Sequence, residues 1–190
     1  MLAGAFRELW ARNYPKAVPL SYLVRQLYPE RWFRIHSLPD SKRYPETESE
    51  LQLLLERQFI LIHDLFGDLA DAVLVSGYYT FGTEPELEQF LQGDDLLRQL
   101  KFSALASVKV EDDSTYWPLV ATPELTPSFM EALLRAIAEG KSSAFLMHKT
   151  TGTVIAPYDG GVDSILPTSA ARDFYHQKYR DWLSSHPSSL

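Results

Sequence analysis

The chain has 190 residues, 45% of them hydrophobic and 23% charged, and it carries no cysteine. A chain of this length can bury roughly 70% of the surface it exposes when unfolded, so its core needs no covalent or metal staple, and disulfides, thiolate metal sites and thiol redox chemistry are excluded. A net charge of −7 argues against non-specific nucleic-acid binding, which depends on Lys and Arg neutralising phosphates.

The opening MLAGAFRELWARNYP sets Arg7, Glu8 and Arg12 among its apolar residues, so no secretory signal is expected. No stretch reaches the ~18 apolar residues of a membrane span. The expectation is a cytoplasmic protein that binds neither membrane nor nucleic acid.

Residues 3–12 read as a short helix with Phe6, Leu9 and Trp10 on its apolar side, broken by Pro15 and Pro19. Ser21 to Tyr28 reads as a second helix closed by Pro29, so residues 1–30 form a helical N-terminal arm. RWFRIH, from Arg31 to His36, has strand character, and SLPDSKRYP after it has the composition of a loop. The clearest helix runs from Glu46 to Phe66. Glu46, Glu48 and Glu50 crowd its first turn, Leu51, Leu54, Leu55, Ile62, Leu65 and Phe66 recur at helical spacing, and Gly67 stops it.

Ala72 to Phe81 reads as a strand with Gly77 as a candidate bulge. Glu84 to Leu100 reads as one or two short helices split at Gly93. Phe102 to Val110 is a candidate strand, Glu111 to Ser114 a polar turn, and Thr115 to Ala121 the returning strand. Thr126-Pro127 opens a helix with Phe129, Leu133 and Ile137 on its core face and Gly140 at its end. Strands over 144–149, 153–158 and 162–166 are joined by Thr150-Thr151-Gly152 and Asp159-Gly160-Gly161, which makes a β-meander. A last helix over 168–185 presents Ala171, Phe174, Tyr175, Tyr179, Trp182 and Leu183 on one side. Tight turns force antiparallel pairing. The expected fold is therefore one α+β domain over 1–190, with a mostly antiparallel sheet of about five or six strands and helices on one face.

The chemistry-bearing patterns are few. Gly140-Lys141-Ser142 is no phosphate loop, because Arg135 stands where an earlier glycine is needed and the segment closes a helix rather than opening one. No G-x-S-x-G is present, and His36, His63, His148, His176 and His186 show no metal-ligand spacing. Asp94-Asp95 reads as a helix N-terminus and Asp112-Asp113 as a hairpin turn. In PYDGGVD, Gly160 and Gly161 permit positive φ, so Tyr158, Asp159 and Asp163 could be exposed together as an acidic-aromatic recognition site. The plainer alternative is an Asx-turn at Asp159 and a solvent-facing Asp163. Tyr78-Tyr79-Phe81 and Tyr116-Trp117 suit an interface and an ordinary core equally well.

The tail GTVIAPYDGGVDSILPTSAARDFYHQKYRDWLSSHPSSL, residues 152–190, resembles a family of uncharacterised bacterial proteins carried as a domain of unknown function. The pattern rests on Tyr158, Asp159, Gly160, Gly161 and Asp163, then Trp182, Leu183, Ser184, His186 and Pro187. WFRIHSLPDSKRYPETESEL is loosely similar to the same group. The resemblance implies a bacterial source and brings no activity or catalytic residues.

The leading expectation is a non-enzymatic protein-binding protein, with no cofactor and no metal. Its narrower form is an immunity protein that neutralises a basic toxin domain through Glu111, Asp112, Asp113, Tyr158, Asp159 and Asp163. The alternatives are an enzyme with a polar cleft in which Asp159 or Asp163 meets a histidine, and a homo-oligomeric structural or regulatory protein. The sequence leaves the oligomeric state open.

Overall fold

The computed structural model describes residues 2–81, 87–110 and 114–184. Helix α1 (Leu2–Asn13) buries Phe6 and Trp10, one turn apart, and α2 (Ser21–Leu27) buries Val24. The Trp10 indole donates to the Ala17 carbonyl at 2.7 Å, and the Tyr14 hydroxyl donates to the Gly152 carbonyl at 2.6 Å. The N-terminal segment is thereby fastened across the sheet. Strand β1 (Trp32–His36) follows, then α3 (Glu48–Phe66). Thr47 caps α3 by accepting from the Glu50 N–H, so the helix begins two residues after Glu46, where the sequence pattern starts it. Gly67, at φ 67°, closes it.

The remaining elements are β2 (Ala72–Phe81), α4 (Leu87–Leu91), β3 (Ser103–Ala104), β4 (Val108–Lys109), β5 (Ser114–Ala121), α5 (Pro127–Ala138), β6 (Phe145–His148), β7 (Val154–Tyr158), β8 (Gly161–Ile165) and α6 (Ser169–Lys178). Among the described residues they form an α+β fold around an eight-stranded sheet in the order β1-β8-β7-β6-β2-β5-β3, with β4 also on β5, and every pair is antiparallel. The strand number exceeds expectation partly because residues 102–110 contain two short strands rather than one. Among the described residues, no helix is long and apolar enough to cross a membrane.

The helices cover both faces of the sheet, where the sequence suggested one. Alternating residues of β2 show the division. Val73 and Val75 pack with Phe6, Trp10, Tyr14 and Val24, while Leu74 packs with the apolar stripes of α3 and α5. The N-terminal helices are thus a covering layer. The unbroken buried run Ala72–Ser76 carries the sign of this, since a strand covered on both sides needs no polar alternation.

Two further expectations are corrected. Gly77 is no bulge, because β2 pairs with β5 without interruption from Leu74↔Ala121 to Phe81↔Ser114. A Cβ at Gly77 would lie 2.5 Å from the Tyr116 hydroxyl oxygen and 2.7 Å from the Trp117 carbonyl oxygen, so the glycine makes room for a buried ring. The last α-helix stops at Lys178, and a 3-10 turn holds Arg180–Trp182. Phe174 is 63% exposed, while Ala171, Tyr175 and Tyr179 face the core. The stripe follows one residue per turn and leaves Phe174 beside it.

Gly77→Ala is expected to lower unfolding stability by about 2 kcal/mol, in the range for overpacking a filled core. Gly93→Ala, where an added Cβ meets no atom within 4 Å, should stay within about 0.5 kcal/mol. Urea titrations of both variants compare the two.

Candidate functional site

The pairing of β1 with β8 sets Arg34 opposite Asp163 and His36 opposite Gly161. The β7–β8 hairpin then sets Ala156 opposite Asp163 and Tyr158 opposite Gly161. Residues opposite one another point to the same side of a sheet. Trp32, Arg34, His36, Asp163 and Tyr158 therefore form a polar-aromatic group at the edge of the face that α1 and α2 cover.

Asp163 is its centre. It is 8% exposed and accepts from the Trp32 indole, from Arg34 Nε and from Arg34 Nη2, each at 2.8 Å, with Arg25 Nη1 at 3.5 Å. A buried carboxylate is tolerable only when charge and hydrogen bonds compensate it, and this bidentate grip supplies both. Burial opposes the Arg34 charge, but the hydrogen bonds and charge of Asp163 outweigh it and hold the guanidinium protonated. The Arg34 guanidinium lies 4.6 Å from the Tyr158 ring centroid, a cation–π contact.

The loop after β1 folds back over this group. Ser37 N–H donates to the Gly160 carbonyl at 2.9 Å. From α3, the Gln58 amide donates to Ser37 Oγ, the Gly161 carbonyl and the Tyr158 carbonyl at 3.2–3.4 Å. Asp40 and Ser41 are consecutive left-handed residues, with φ of 54° and 56°. Neither is glycine, so the backbone carries strain of the kind that gathers at binding and catalytic sites. Arg43 Nε donates to Asp159 at 3.0 Å across the mouth. Gly160 and Gly161 are not left-handed. They permit close approach, since a Cβ at Gly160 would press on Arg43 and one at Gly161 would collide with the Ile35 carbonyl oxygen.

Arg34, His36, Ser41, Arg43, Tyr158 and Gly160 enclose a pocket of about 330 Å³. Two buried polar atoms, His36 Nε2 and the Tyr158 hydroxyl, have no hydrogen-bond partner there. Burial pushes the Tyr158 phenol up to about 12, so it remains an O–H donor. Burial, assisted by the Arg34 charge, holds the His36 imidazole below its ordinary value of 6.5. Arg25, Arg34 and Arg43 outnumber Asp159 and Asp163 in this group, which makes it locally cationic in a chain of net charge −7.

Tyr158, Asp159 and Asp163 thus come together, but not as an exposed acidic patch. Asp163 neither faces solvent nor offers a free carboxylate, because Arg34 and Trp32 occupy it. Asp159 stays at the rim on Arg43. Glu111, Asp112 and Asp113 lie outside the described residues; the flanking strands β4 and β5 sit beyond β7, β6 and β2 from β8. Sequence reasoning missed Arg34, Ser41 and Arg43, and named His36 only among the histidines without metal-ligand spacing. The available signal was the alternation of Trp32, Arg34 and His36 in a strand, which puts these side chains on one face. Among the described residues, no group of His, Asp and Glu is arranged to hold a metal ion.

Fold and pocket together define an α+β protein with a polar cleft flanked by two arginines. The family whose model matches is Domain of unknown function (DUF3885), over residues 20–187, and the chain belongs to that family. The match contains every residue lining the pocket and leaves α1 outside. No curated protein and no solved structure matches the chain.

Asp163→Asn is expected to cost about 3 kcal/mol, since it leaves the Arg34 charge buried without its counter-ion. Asp159→Asn, whose partner Arg43 has a side chain 64% exposed, should cost less than about 1 kcal/mol. Chemical denaturation of the two variants separates the structural carboxylate from the rim one.

His36 makes stability depend on pH. Its folded-state value lies below 6.5, so the unfolded chain takes up this proton first. Stability is complete above the unfolded value and declines as pH falls through 6.5 toward the folded value. His36→Asn should therefore flatten the melting temperature between about pH 7.5 and 5.5 relative to wild type, measured by calorimetry.

Proposed function

We propose that this protein is a non-enzymatic binding protein that recognises its ligand or partner through an anionic group held between Arg34 and Arg43. The observation that carries this reading is the pair of buried, unpartnered atoms, His36 Nε2 and Tyr158 Oη, on a pocket flanked by both arginines. Leaving a buried polar atom unpaired costs ~1–3 kcal/mol, so the site is poised to gain when a ligand completes it. The two arginines supply the charge, Tyr158 and Ser41 supply O–H groups, and the strained Asp40–Ser41 backbone shapes the wall.

The immunity-protein form of this reading draws on the net charge of −7 and on the acidic residues Glu111, Asp112 and Asp113. Asp163 contributes nothing to a face for a basic toxin, because its oxygens are already engaged. The enzyme reading has one observation in its favour: His36 is a neutral imidazole inside a pocket. Against it, His36 Nε2 has no hydrogen-bond partner, so no hydroxyl nucleophile is paired with it there.

Thermal shift in sulfate against chloride, at matched ionic strength, tests the anion site. Wild type should gain stability with sulfate, by about 2.7 kcal/mol when sulfate reaches a hundred times its dissociation constant. Arg43→Ala should lose most of that gain. An equal gain in the variant would attribute the effect to general salt action and remove the site.

A further inference from the structure

We infer that the anion this pocket takes is a phosphomonoester of a small molecule rather than a carboxylate; the inference rests on the anion-site reading above. Three features of the pocket lead there.

The first is which edges of the arginines remain available. A carboxylate is gripped best side-on, by Nε and one terminal nitrogen of a guanidinium. Asp163 already holds that edge of Arg34, through Nε and Nη2. Asp159 already holds Nε of Arg43. On Arg34 the Nε/Nη2 fork that favours a carboxylate is engaged within the protein, and Arg43 meets a ligand with its two terminal nitrogens. The Arg34 fork suits a carboxylate, and Asp163 already holds it.

The second is the direction from which the other donors come. Tyr158 Oη belongs to β7, His36 Nε2 to the end of β1, and Ser41 Oγ to the strained loop, while Arg43 stands across the mouth against Gly160. These are point donors on separate elements. A carboxylate has two oxygens in one plane, whereas a phosphomonoester has three terminal oxygens splayed from a tetrahedral centre and can accept from several sides at once. Both orphaned atoms can be satisfied by such a group while the arginines neutralise it.

The third is size. The volume of about 330 Å³ is at the small end of the ~300–1,000 Å³ typical of small-molecule sites. It suits a phosphate with a short polar body.

The experiment is titration calorimetry on the full chain with glycerol 3-phosphate, its carboxylate counterpart glycerate, and sulfate, at fixed ionic strength and pH 7.5. Glycerol 3-phosphate should bind about tenfold or more tightly than glycerate, the ratio set by one further charge-assisted hydrogen bond. Arg43→Ala should weaken it about tenfold, and Tyr158→Phe about fivefold. Arg43 has an exposed side chain, so its removal leaves folding intact, and a matching melting temperature in ligand-free buffer verifies this. Glycerate binding as tightly as the phosphate ester would overturn the phosphate assignment and leave the anion site standing. Binding of none of the three, with sulfate giving no stabilisation, would remove both.

Discussion

Arg34 and Asp163 face each other across the β1–β8 pairing, and the arrangement of this end of the molecule depends on that contact. Each side chain alone would be a buried charge. Together, with the Trp32 indole on the same carboxylate, they fix the register of an edge strand to the C-terminal meander. A slip of one residue would turn Arg34 toward the face where Phe33 and Ile35 pack on α3, and would strand Asp163 without a counter-ion. The pair therefore specifies the alignment that brings His36 and Tyr158 to one pocket.

The secondary structure was legible where local patterns are strong. Helix α3 follows its leucine periodicity, α5 follows its Thr-Pro start, and the meander follows its glycine-containing turns. What stayed hidden depended on distant neighbours. Nothing local to residues 2–27 says that α1 and α2 cover a sheet face. That assignment is made by Phe6, Trp10 and Tyr14 meeting Val73, Val75 and Met147. Gly77 likewise looks like a bulge in isolation, and only the Tyr116 ring explains it.

The candidate site was half legible. The tail drew attention to Tyr158, Asp159 and Asp163, and the structure does gather them. Their charge was read as available because the partners lie about 130 positions earlier in the chain. An aspartate in a strand looks solvent-facing until the opposite strand presents an arginine. The pocket is accordingly more cationic than its most conspicuous residues, and the net charge of the chain gives no hint of it.

The joining of β1 to β8 has a consequence for how the protein comes into being on the ribosome. The two walls of the cleft come from residues 34–43 and 158–160, and 116 positions separate Arg43 from Asp159. Synthesis runs from the N-terminus, so β1 is made early and must wait, with its ladder groups unpaired, until β8 emerges. Contacts between such distant positions form slowly, because the intervening loop must close first. During that interval Arg34 and Trp32 do not have the Asp163 carboxylate to hold, and the cleft is not yet formed. The cleft is thus completed only once the meander has been made, and a translation product truncated before it would carry one wall of the cleft without the other.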